Sequence, residues 1–179
     1  MSHYGLGRFI DDMDFFVEKY GTDQEALIKA GVGSLRKLMS NPDFLNPEFV
    51  TAVTHGEDEG RVYTSEDHGY YIQFFAWPAG CKSPVHDHGG TWGIMGVMHN
   101  CLHVTEYDLK RNENQCFEVN GSESFDAHAG AIVYLTSPDN EIHCVQNASD
   151  EMSYSLHIYG QEMTNTSQFD LETGEICPA

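Results

Sequence analysis

The spacing of apolar residues changes once along the chain. In RFIDDMDFFVEKYG, Phe9, Met13, Phe16, Val17 and Tyr20 recur at three- and four-residue intervals, which predicts a helix that Gly21 ends. Thr22 or Asp23 is placed to cap a second helix through QEALIKAGVGSLRKLMS, stopping before Asn41-Pro42, and a short third helix follows Asn46-Pro47. From about residue 50 the period falls to two. RVYT, YYIQFFAW, TWGIMGVM, LHVTEYDL, CFEVN, AIVYLT, IHCVQN and YSLHIYG predict strands, with EDHG, PAG, KRNENQ, NGSES and SPDN as the turns between them. Short strands at this spacing predict a mainly β sandwich or barrel. The expected organisation is one domain over 1–179: a helical cover at 1–48, a β body at 49–165 and a tail at 166–179. The closing LETGEICPA reads as loosely packed.

Composition narrows the partners. Nine basic residues face 28 acidic ones, a formal net charge of -19, spread along the chain. Such a surface repels nucleic acid and anionic lipid, so neither is an expected partner. No apolar run is long enough to span a bilayer, and the N-terminal stretch has acids where an export signal needs a basic flank. A cytoplasmic protein is the expectation. The five cysteines (Cys81, Cys101, Cys116, Cys144, Cys177) are scattered without a CxxC pair and read as reduced thiols.

The chemistry starts at SPVHDHGGTWG. Alternate residues of an extended segment share a face, so His86 and His88 aim at one point with Asp87 turned away. That suits a metal ion if a third ligand arrives from elsewhere. In YLTSPDNEIHCVQN, a turn rich in Pro, Asp and Asn delivers His143 as a strand begins. The two segments together resemble the metal-binding motifs of the cupin superfamily. Gly80, His86 and His88 match the first; Pro138, His143 and Asn147 match the second, with Asn140 at a position where Gly is usual and a left-handed turn is tolerated. The resemblance implies a cupin fold, a double-stranded β-helix or small jelly-roll-like barrel, with N-terminal helices. The usual cupin glutamate is absent, since its place falls at Trp92 or Gly93. Three neutral imidazoles leave a divalent ion its full charge and up to three open positions, an arrangement for chemistry rather than for a closed structural site.

The last strand sharpens the resemblance. In MSYSLHIYG, Ser155, His157 and Tyr159 share one face while Tyr154, Leu156 and Ile158 share the other. HxH, a distant His and S-L-H-I-Y in this order resemble the cysteine dioxygenase family of thiol dioxygenases over roughly residues 50 to 160. The resemblance implies non-haem Fe(II) on His86, His88 and His143, and a small thiol and O2 as reactants. Both oxygen atoms go to sulfur, giving a sulfinic acid such as cysteine sulfinate. It places the Tyr159 hydroxyl near the open positions, with His157 and Ser155 fixing its proton.

Two departures bear on substrate. Animal members carry a cysteine cross-linked to the active-site tyrosine where this chain has Gly93, which implies an uncrosslinked Tyr159. Cysteine-type members bind the substrate carboxylate through an arginine on an earlier strand, and mercaptopropionate-type members have glutamine there. Arg61 falls about where that arginine belongs, whereas TWG and HIYGQ look more like the mercaptopropionate branch. A guanidinium binds a carboxylate, so Arg61 is the expected anchor and cysteine the expected substrate, with 3-mercaptopropionate the alternative. A different metal-dependent cupin, isomerase or lyase, and a non-catalytic binder of small molecules also stay open. His3, His55, His68, His99, His103 and His128 read as structural or surface residues, Trp77 and Trp92 as core aromatics, and Gln73 as a strand residue facing solvent. The oligomeric state is not readable from the sequence.

Overall fold

The computed structural model describes residues 3–55, 60–111, 117–136 and 142–178. Pro138, Asn140 and Cys116, part of the turn read at 110–115 and all of that read at 137–140 lie outside the described residues. Three helices come first: α1 (Leu6–Tyr20), α2 (Gln24–Met39) and α3 (Pro47–Thr54). Their limits are set locally. Gly21, at φ 52°, closes α1 by donating its N–H to the Val17 carbonyl at 2.9 Å. The Asp23 carboxylate accepts from Ala26 N–H to start α2, and Asn46 accepts from Phe49 N–H to start α3, whose first position is Pro47.

The strands follow: β1 (Arg61–Thr64), β2 (Tyr71–Trp77), β3 (Gly93–His99), β4 (Cys101–Arg111), β5 (Phe117–His128), β6 (Ile132–Leu135), β7 (His143–Gln146), β8 (Ser153–Tyr159), β9 (Ser167–Phe169) and β10 (Ile176–Pro178). They form a five-stranded antiparallel sheet ordered β1-β2-β8-β3-β6, a three-stranded sheet β5-β4-β7 and the ribbon β10-β9. The mainly β class with N-terminal helices is that read from the alternation. Among the described residues, no helix is long and apolar enough to cross a membrane.

Alternation along the five-stranded sheet sorts its side chains into two layers. Ile72 and Phe74 on β2, Ile94 on β3, and Leu156 and Ile158 on β8 face outward into a cluster with Phe9, Met13, Leu27, Leu35 and Leu38 of the helices. The opposite face turns toward the three-stranded sheet, where Trp77, Met95, Val97, Leu102, Val104, Ala127 and Val145 fill the far end. The apolar plug stops partway along the barrel. From there the inner face of β8 carries Ser155, His157 and Tyr159.

Two segments differ from the pattern reading. NGSES is not a turn: β5 runs through it, because Asn120 is taken up as an extra residue where the register slips between Asp108 and Leu109 of β4. A bulge absorbs the turn-forming pair without ending the ladder. The tail is paired rather than loose. Asp170 Oδ1 accepts from the N–H groups of Glu172 and Thr173 and turns the chain, so that β10 returns along β9.

Candidate metal centre

Three chain segments meet at the open end of the barrel. The His86 backbone exchanges both hydrogen bonds with His143, each at 3.0 Å, and forms a second bridge with Gln168 of β9. Asp87, turned away from the histidines as expected, accepts on Oδ1 from Ser167 N–H at 2.9 Å and Gly89 N–H at 3.1 Å. Its carboxylate ties the His-x-His segment to the tail. Gly89 and Gly90 then take positive φ (62° and 81°), reversing the chain toward Trp92 and β3.

The result is a tight imidazole cluster. The ligand atoms of His86, His88 and His143 all lie within 4.8 Å of one another, and the ring centroids are 4.7 to 5.0 Å apart. His88 is buried and His86 partly exposed. His86 Nδ1 lies 2.9 Å from the Pro84 carbonyl, which can only accept; in the neutral ring this bond places the proton on Nδ1 and leaves the Nε2 lone pair for a metal. Burial, with the other histidines nearby, holds the His143 pKa well below its ordinary value, so this ring stays neutral. Neutral donors converging on one point fit a divalent ion. Among the described residues these three histidines are the only group of His, Cys, Asp or Glu so arranged.

Tyr159 connects this cluster to β8. Its ring stacks on His88 (centroids 5.7 Å, 25° between planes) and touches Tyr71 at 5.2 Å. Its hydroxyl lies 2.8 Å from His157 Nδ1, and His157 Nε2 lies 2.8 Å from Ser155 Oγ. Ser155 in turn accepts from Trp77 Nε1–H at 2.8 Å. A cavity of about 260 Å³ opens beside them, lined among others by Phe75, His86, His143, His157, Tyr159 and Met163. A second, about 20 Å³, lies between His88, Gly93, Glu106, His143 and Tyr159. Burial and the facing Glu123 raise the Glu106 carboxyl pKa.

His157 is pushed down to about 3, first by burial and then by His88 and His86. In the unfolded chain His143 and His157 bind protons near 6.5; in the folded chain both do so only at lower pH. Between those values the unfolded chain holds more protons, so these groups remove stability as pH falls from 7. The slope approaches about 1.4 kcal/mol per pH unit for each histidine. Urea midpoints of the metal-free protein between pH 7 and 5 check this, and the slope should be shallower in His157→Gln.

The structure therefore brings His86, His88, His143, Ser155, His157 and Tyr159 together. Arg61 is elsewhere. Its guanidinium bonds the Glu162 carboxylate at 2.6 and 3.3 Å, sits 3.8 Å over the Tyr71 ring, and lines neither cavity beside the histidines. Gln73 does not simply face solvent. It is half-buried and shares the inner face of β2 with Tyr71, Phe75 and Trp77, and its register partner is His157. Trp77 is a core aromatic as read, with the indole bond to Ser155 added. The four described cysteines are free thiols.

A family model described as cysteine dioxygenase type I matches residues 54–172. Among solved structures, a conserved Klebsiella pneumoniae protein with a double-stranded β-helix domain is similar over 62% of this chain and 81% of its own, with 12% identity and a TM-score of 0.47. Oxalate oxidase is similar over 55% of this chain at 17% identity and a TM-score of 0.44. Oxalate decarboxylase from Lactobacillus farciminis is similar over 56% at 14% identity and a TM-score of 0.44. The chain spans 45% of the oxalate oxidase chain and 27% of the decarboxylase chain.

Proposed function

The chain belongs to the cysteine dioxygenase type I family, and on that premise we propose that it is a non-haem Fe(II) thiol dioxygenase that converts a small thiol carboxylate to its sulfinic acid. One observation carries the reading: the three-histidine cluster and the Ser155–His157–Tyr159 chain open on the same cavity. Iron held by His86, His88 and His143 would supply the redox chemistry by which RSH and O2 become RSO2H. The chain's own residues do the rest. Phe75, Met163 and Val145 give the cavity an apolar wall that limits water. Tyr159 presents a hydroxyl to the bound reactants, and His157 and Ser155 hold that hydroxyl in place.

The test is oxygen uptake by the Fe(II)-loaded protein on adding cysteine, 3-mercaptopropionate or cysteamine, with the product's mass read for the gain of two oxygen atoms. Uptake matched by sulfinic acid supports the proposal. No uptake with any of these thiols would leave an isomerase, a lyase or a passive binder. Gly93 faces the tyrosine: a Cβ built there would lie 3.3 Å from Tyr159 Cδ1, and glycine has nothing to cross-link. The intact mass should equal that of the unmodified sequence.

For the substrate, an Arg61 anchor fits cysteine, as in the cysteine-type enzymes. It would require the guanidinium to leave Glu162 and pass Tyr71. The engagement of Arg61 with both of these favours the second reading, a 3-mercaptopropionate-type enzyme, with Gln73 on the inner face of β2 in register with His157. Arg61→Ala separates the two. An anchor worth one charge-assisted bond implies a loss of about ten- to a hundredfold in kcat/KM. The expected result with 3-mercaptopropionate is a loss under about threefold, since a surface ion pair is removed instead.

A further inference from the structure

The Ser155–His157–Tyr159 chain can run in either direction, and the direction decides what Tyr159 offers to the cavity. With the proton on His157 Nε2, that nitrogen donates to Ser155 and the phenol donates to Nδ1. With the proton on Nδ1, Ser155 donates to Nε2 and Nδ1–H donates to the phenol. The three side chains alone do not choose between these.

A fourth residue does. We propose that Trp77 is a positioning residue whose indole N–H fixes the direction of this chain, so that His157 is protonated on Nδ1 and Tyr159 donates its hydroxyl proton into the cavity. The argument is one of donors and acceptors. Indole Nε1 can only donate, and it reaches Ser155 Oγ at 2.8 Å. Ser155 is fully buried, at 0% exposure, and among the described residues its one other side-chain partner is His157 Nε2. Were Nε2 protonated, Ser155 Oγ would accept from both neighbours and its own proton would be buried with no acceptor among the described residues. With Nε2 bare, every proton has a place: Trp77 to Ser155, Ser155 to His157, His157 to Tyr159. His157 is held neutral by burial, so it carries one ring proton and the choice is binary. Among the described residues Tyr159 has no hydrogen-bond partner but His157, and its own proton is left for the cavity that it lines.

The consequence is a rule for the occupant. The free hydroxyl proton favours an acceptor beside Tyr159, such as a carboxylate, a thiolate or dioxygen, over a group that can only donate. This role in turnover rests on the dioxygenase reading, but the proton's position does not.

The experiment reads that position directly. In the metal-free, full-length protein labelled with 15N-histidine, long-range 1H–15N correlations distinguish protonated from bare ring nitrogens, with His157 assigned through His157→Gln. The expected result is Nδ1 protonated and Nε2 bare; Nε2–H in the wild type overturns the proposal. In Trp77→Phe, which keeps most of the ring volume, the two nitrogens should move toward a mixed tautomer, and an unchanged Nδ1–H form in the folded variant also overturns it. Should Trp77→Phe not fold, Ser155→Ala serves. The Trp77 indole proton should shift upfield on losing its acceptor, and an unmoved indole resonance overturns the proposal. If the iron-loaded protein oxidises thiols, Trp77→Phe should lower kcat about tenfold with iron content unchanged. If it oxidises none, the tautomer result still stands by itself.

Discussion

His143→Ala should purify with less than a tenth of the wild-type iron and with oxygen uptake reduced in proportion. The effect is large because the group of converging ligand atoms consists of the three histidines, and Glu106, which lines the small cavity beside them, is not part of it. Two neutral imidazoles from the HDH segment would remain, and changes merely behind a metal ligand already cost about ten- to a hundredfold in affinity. Loss of a ligand should exceed that. Misfolding is not the expected cause. His143 begins β7 through backbone bonds to His86 that alanine preserves, and holding a buried imidazole neutral costs the metal-free fold stability below pH 6.5. Metal-free His143→Ala should thus unfold at a urea midpoint no lower than wild type at pH 5.5. Metal analysis after anaerobic loading and desalting gives the answer, with His86→Ala as the parallel case. Full iron in either variant would remove that histidine from the ligand set.

What could be read from the sequence follows from what spacing encodes. Period two identifies which face of β8 is polar and that His86 and His88 aim together, and the turn before His143 marks a third arrival. N-caps are local as well: Asp23 and Asn46 act on N–H groups three residues on. The partners that decide each group's role are not local. Trp77 meets Ser155 across 78 positions, Arg61 meets Glu162 across 101, and Asp87 meets Ser167 across 80. Each depends on strand order and register, which no short pattern specifies. Gln73 shows the same limit. Its polarity suggested solvent, but the strand face was set by Tyr71, Phe75 and Trp77, whose rings touch Tyr159 and His157 or whose indole reaches Ser155. Glu106 is not legible in the sequence because a charged residue on a long hairpin reads as surface; its pairing with His143 places it in the small cavity beside the histidines.

Tyr159→Phe should keep its iron and lose most of its turnover. The ligands are untouched, and phenylalanine keeps the ring that stacks on His88 and packs on Tyr71. Only the hydroxyl goes, and its loss acts twice. First, it leaves the His157 Nδ1 position without its partner in a residue 6% exposed. An unpaired buried donor costs about 1–3 kcal/mol, so the variant should melt a few degrees below wild type. Second, it removes from the cavity a donor held in place before reaction begins. Loss of one such donor near reacting atoms lowers rate by about a hundredfold or more. The two effects separate by measurement, since iron content and melting temperature report the fold while turnover at saturating thiol reports the chemistry. If the hydroxyl acted only by holding the substrate carboxylate in the ground state, the loss would appear in KM with kcat preserved. The fall is expected in kcat, because the hydroxyl belongs to a fixed chain ending at the cavity shared with His86 and His143. Wild-type turnover in an iron-replete Tyr159→Phe would make Tyr159 a packing residue and leave the polar face of β8 without a chemical role.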